Sequence, residues 1–119
     1  MIDYRPYRPR THNFLLKKLR QTLNTMQMRD WQVELYYGDI PPTCLQSQSD
    51  KVGACKYWIY NLDAVIWVNK SGCKADNQDP LDVLLHEVAH IWLAYETNEE
   101  RQANILALLI GNTIVKEKK

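Results

Sequence analysis

The sequence predicts one α+β domain built from three main helices and a small three-stranded sheet. Three stretches carry this expectation. "THNFLLKKLRQTLNTMQM" (Thr11 to Met28) repeats apolar residues at helical spacing, "WQVELYY" (Trp31 to Tyr37) alternates with a period of two, and "DPLD" (Asp79 to Asp82) is a helix start ahead of a long apolar run. With 119 residues, 45% hydrophobic and 24% charged, the chain has the balance expected of a globular domain with one modest core rather than of a disordered or membrane chain.

Taken in order, residues 1–10 form a basic arm, since six basic residues fall among the first twenty against Asp3 alone. Such a run reads as a solvated tail and helix face. The first helix follows, with Leu15, Leu19, Leu23 and Met26 on one face and Lys17, Lys18 and Arg20 elsewhere. In the first strand Trp31, Val33, Leu35 and Tyr37 share one side, Gln32, Glu34 and Tyr36 the other. "GDIPPTCLQSQSDKVGA", broken by Pro41, Pro42 and Gly53, is expected to be a long surface loop. "CKYWIYNLDAVIWVN" offers two aromatic and β-branched runs around Asn61 to Asp63, the pattern of a hairpin, and "KSGCKADNQ" reads as a second polar loop. Asp79 then caps a helix whose first position is Pro80, where the missing N–H is no loss, and Asp82 suits the positive helix end.

Composition bounds the partners. A formal charge of +1 gives no reason to expect a nucleic-acid partner, and neither a secretory leader nor the ~18 apolar residues of a membrane span is present, so a cytoplasmic monomer is expected. Cys44, Cys55 and Cys73 are odd in number and form no CxxC pair. Reduced thiols are therefore expected, with a Cys55–Cys73 bridge or an added metal ligand as the alternative.

The chemistry lies in "HEVAH", residues 86–90. On a helical wheel Leu81, Leu84, Leu85, Val88, Ala89, Ile91, Trp92 and Tyr95 fill one half, while His86 and His90 lie within about 40° of each other outside it. Side chains at i and i+4 are about 5 to 6 Å apart at Cβ, so two imidazoles can meet on one zinc ion. Glu87 projects about 100° further round, where a carboxylate reaches past the ion toward a water whose pKa zinc lowers to about 7. Taking that proton and returning it to a leaving amine is amide hydrolysis.

A catalytic zinc needs a third protein ligand and an open position. His12 lies beside the first helix, where a helix-start role is expected of it. Thr97 and Asn98 are good caps, so the motif helix should break near Tyr95 and a last helix should begin near Glu99. There Ala103, Ala107 and Gly111 form a strip of small residues below Glu100, which allows close helix approach. Glu100 is the expected third ligand, with Glu96 and Glu99 as alternatives and a capping role for Glu100 as the structural reading.

His86-Glu87-Val88-Ala89-His90 followed by Glu100-Arg101-Gln102-Ala103 resembles the gluzincin clan of zinc metallopeptidases. "EERQANILALLI" is further similar to the corresponding helix of ImmA/IrrE-like peptidases, and the order of elements in so short a chain is most similar to the minimal gluzincins. The nine residues between His90 and Glu100 are a shorter spacing than in larger gluzincins. The resemblance implies a zincin-like fold, with a twisted three-stranded sheet over the motif helix, and a peptide or protein substrate along an edge strand. In this sequence that strand is Cys55 to Tyr60, with Cys55, Tyr57 and Ile59 on one face as substrate-binding residues. It also implies an oxyanion-stabilising residue, for which Tyr57, Tyr60, Tyr95 and His12 stand open, and it raises latency through a terminal segment, here "NTIVKEKK". A catalytically inactive zinc-binding regulatory module is the alternative function, which an intact Glu87 disfavours.

Overall fold

Thr11 starts the first helix: in the computed structural model, which describes residues 5–97 and Ala107, its hydroxyl accepts the Phe14 N–H at 3.0 Å and α1 runs over His12–Thr25. Leu15 and Leu19 are buried on its inner face, as their spacing predicts. The helix ends three residues short of the apolar pattern, because Gln27 turns to a φ of 57° and the Met28 N–H reaches back to the Leu23 carbonyl at 2.7 Å. That turn buries Met28.

The sheet has the order β1 (Gln32–Gly38), β3 (Asp63–Asn69), β2 (Gly53–Trp58), so the last of these strands in the chain lies in the middle. β3 pairs parallel with β1, from Gln32↔Asp63 to Gly38↔Asn69, and antiparallel with β2, from Gly53↔Val68 to Trp58↔Asp63. Leu35, Ala64, Ile66 and Val68 point to one face, where they pack with Leu15 and Leu19 of α1 and with residues of α3 in the main core. On the opposite face Leu45 covers Ala54 and Trp67, with Val65 packed beside them.

Two expected loops prove to be partly ordered. Within the first, Thr43–Gln48 forms a 3₁₀ helix, because burying Leu45 over Trp67 ties the segment to the sheet. Within the second, α2 (Lys70–Ala75) forms because the Asn69 side chain accepts the Gly72 N–H and Cys73 is buried. The hairpin turn is also displaced. It occupies residues 59–62, with Leu62 at a φ of 56°, so β2 begins and ends two residues earlier than the aromatic run suggests.

The long helix α3 (Pro80–Glu96) begins as expected, with the Asp79 carboxylate accepting the Leu81 N–H at 2.9 Å. The described part of the basic arm, expected as a solvated tail, is tied to this helix start through Arg5 and Arg10. Arg10 forks onto Asp79, its Nε donating to Oδ1 at 3.0 Å and Nη2 to Oδ2 at 2.7 Å, while Arg5 donates to Asp82 through its backbone N–H at 2.7 Å and its guanidinium. The Asp79 N–H closes the contact on the Arg5 carbonyl at 3.1 Å. Burial pushes the Asp79 carboxyl up, but the Arg10 and Leu81 donors and the positive charges of Arg10 and Arg5 outweigh it and hold it below the usual carboxylate range. The Arg5 guanidinium does the same for Asp82.

At its other end α3 stops at Glu96, where the Thr97 hydroxyl donates to the Leu93 carbonyl at 2.7 Å. The expected restart at Glu99, the last helix and the C-terminal segment lie outside the described residues. Among the described residues no helix is long and apolar enough to cross a membrane.

Candidate metal centre

α3 separates its faces by neighbour. Leu84, Val88 and Ile91 are buried in the main core, while His86 is half-buried and His90 exposed. Val83 and Glu87, four residues apart, are buried as well, although the wheel leaves Val83 out of the apolar half. Their shared neighbour is Gly53 at the start of β2, whose missing Cβ would stand 2.4 Å from Val83 Cγ1 and 3.3 Å from Glu87 Oε2. The strand therefore covers a part of the helix that a two-sided wheel assigns to solvent.

The two imidazoles converge. His86 Nε2 and His90 Nε2 lie 2.9 Å apart, with the rings 4.5 Å between centroids and nearly perpendicular. Two nitrogens bound to one tetrahedral zinc at 2.0 to 2.1 Å stand about 3.3 Å apart, so a small rotation of either ring makes both available to one ion. Imidazole nitrogens suit zinc, and the pair supplies two of the donors such a site needs.

Glu87 is only 7% exposed and faces β2, where the Cys55 thiol is within donating reach of its carboxylate. Burial pushes the Glu87 carboxyl above its usual range, and the Cys55 donor and the positive potential of His86 and His90 offset this only in part. In turn, burial and then the Glu87 charge push the Cys55 thiol up to about 12. All three cysteines are free thiols.

Among the described residues no third His, Cys, Asp or Glu completes a group with the pair. Glu100, the expected third ligand, and Glu99 lie outside the described residues. His12 is the first residue of α1, where Thr11 supplies the cap, and its Nε2 lies 3.2 Å from the Leu35 carbonyl of β1.

β2 is an edge of the sheet, as expected, and Cys55 and Tyr57 share its helix-side face. Ile59 does not. The strand ends at Trp58, so Ile59 lies in the turn and packs on the main core. Of the four candidates for oxyanion stabilisation, Tyr95 packs edge-on against Trp31 at 5.4 Å, Tyr60 lies in the turn beyond the strand, and His12 sits at β1. Tyr57 is left on the face that carries Cys55.

A cleft of about 220 Å³ opens beside the motif, lined by Lys51, Val52, Gly53, Gln78, Val83, His86 and Glu87. Sequence reasoning missed Lys51, Val52, Gly53, Gln78 and Val83. The available signal was Gly53 itself, since a glycine next to a β-forming run marks a close backbone approach as well as a loop. Comparison with protein-family models, curated proteins and solved structures finds no match for this chain.

Proposed function

We propose that this chain is a zinc-dependent peptidase of the minimal gluzincin type, with a zincin-like arrangement of sheet and motif helix, in which His86, His90 and Glu100 hold the ion. The observation that carries the reading is the convergence of His86 Nε2 and His90 Nε2 to 2.9 Å beside the buried carboxylate of Glu87. Zinc, when bound, supplies a Lewis acid that lowers the pKa of water and polarises the scissile carbonyl.

Glu87 is the general base and acid. Its carboxylate accepts a proton from the attacking water and delivers it to the amine that leaves, and its burial between α3 and β2 keeps bulk water from competing for that proton. Among the described residues β2 pairs only with β3, so its outer N–H and C=O groups are available to an extended peptide, which then passes Cys55 and Tyr57.

A peptide library incubated with zinc-loaded chain and its Glu87→Gln variant tests this. Glutamine retains the packing but cannot accept the proton, so cleavage should fall by about 10² to 10⁴. Equal cleavage by both proteins removes Glu87 as the base, and no cleavage by the parent leaves a zinc-binding regulatory module as the better reading.

A further inference from the structure

The cleft beside the motif is lined by His86 and Glu87 together with Lys51 and Gln78. Gln78 directly precedes the cap of α3, so it lies about 2.5 helical turns from Glu87. Val52 and Val83 add apolar lining, and Gly53 packs against Val83 and Glu87. A volume of about 220 Å³ falls below the roughly 300 Å³ at which pockets for whole small molecules begin, and suits one side chain.

Lys51 is fixed at its base and uncommitted at its tip. Its N–H donates to the Gln48 carbonyl at 2.9 Å, its carbonyl accepts from Asn69 Nδ2 at 3.0 Å, and the Asn69 N–H holds the neighbouring Val52 carbonyl at 2.8 Å. Among the described residues the only ion pairs are Arg5–Asp82 and Arg10–Asp79. The Lys51 ammonium has no carboxylate within the described part of the molecule.

We propose that this cleft is the subsite for an acidic side chain of the peptide substrate, next to the reacting bond, and that Lys51 selects that acid. The proposal rests on the peptidase reading above. An Asp or Glu side chain entering from the β2 edge packs its methylenes on Val52 and Val83 and sets its carboxylate at the Lys51 ammonium and the Gln78 amide. Glu87 is the one carboxylate lining the cleft, and Gln78 is set away from it along α3. A neutral side chain forgoes the ion pair, and a basic one meets Lys51 with like charge.

Zinc-loaded parent and Lys51→Glu are compared on an equimolar peptide library read by mass spectrometry. Bonds with Asp or Glu on one fixed side should be cut about three- to fivefold more often than those with Asn or Gln, the scale of a partly exposed ion pair. Lys51→Glu should transfer the preference to Lys and Arg. Cleavage without acid preference, or a preference unchanged in Lys51→Glu, overturns the proposal.

A binding measurement separates failure of the subsite from failure of the peptidase reading. The ¹⁵N-labelled Glu87→Gln chain is titrated with two N-acetylated hexapeptides that differ by a single Glu or Gln. Tighter binding of the Glu peptide, with shifts at Gly53 and Val83 that Lys51→Glu abolishes, sustains the subsite even if the parent cleaves nothing. Equal affinity for the two peptides overturns it.

Discussion

Gly53 and Val83 meet so closely that a methyl group on Gly53 would stand 2.4 Å from Val83 Cγ1. Among the described residues no glycine has a positive φ, so the requirement at Gly53 is for space and not for an unusual backbone. Gly53→Ala should therefore overpack the junction of β2 and α3 and destabilise the fold by about 1 to 3 kcal/mol. Val83→Ala opens room for that methyl, so the double variant should be more stable than the sum of the single changes allows, by about 0.5 kcal/mol or more. Denaturant unfolding of the four proteins checks this, and strict additivity would contradict the contact.

The arm and the start of α3 should stabilise unequally. The Arg10–Asp79 pair is enclosed, with side chains 16% and 0% exposed, whereas Arg5 is 49% exposed. Arg10→Ala leaves a buried carboxylate unpaired and should cost about 3 kcal/mol, while Arg5→Ala should cost about 1 kcal/mol or less. Thermal or chemical unfolding of the two variants measures the difference.

The same pairs set an acid limit. The Asp79 and Asp82 carboxyls are held below their ordinary range in the folded state, so their contribution is present above the unfolded value near about 4 and is lost as pH falls through the depressed folded values. Removing Arg10 raises the folded value of Asp79, and acid unfolding of Arg10→Ala should begin at higher pH than in the parent. An unchanged acid midpoint in a circular dichroism titration would show that the pair is not formed.

Thiol reactivity reports on the neighbourhood of Glu87. Burial pushes Cys55 and Cys73 up to about 12, with Glu87 adding to the effect at Cys55, while Cys44 is exposed. At pH 8 iodoacetamide should modify Cys44 about 10²-fold faster than the other two. Glu87→Gln should accelerate Cys55 and leave Cys73 unchanged, which peptide mapping resolves.

Much of the helical framework was legible because local signals agree with tertiary ones. Leu15 and Leu19 are at once periodic and buried, and Asp79-Pro80 is at once a helix start and the beginning of α3. The central position of β3 was not legible, because its parallel pairing with β1 spans the whole segment that carries the 3₁₀ helix and β2. Arg5 and Asp82 are 77 residues apart in the chain, and charge pairing at that separation leaves no periodic trace. At the site, the convergence of His86 and His90 follows from helical spacing alone. The burial of Glu87 depends on Gly53, which the sequence presents among loop residues, and so it could be read only from the fold.

Zinc retention should distinguish the carboxylates near the end of α3. Glu100→Ala removes a proposed ligand and should release the ion far more readily than Glu96→Ala or Glu99→Ala. Equal zinc affinity in the three variants, measured by competition with a chromogenic chelator, would refute the choice of Glu100.

The most direct test of the account is the zinc content of the purified chain by inductively coupled plasma mass spectrometry, beside that of His86→Ala and His90→Ala. About one zinc per chain in the parent and almost none in either variant is the expected result, because the two donors that remain cannot hold the ion against water and buffer. Stoichiometric zinc in His86→Ala, or a parent that binds none when zinc is supplied, would contradict a metal centre on the His86–His90 pair.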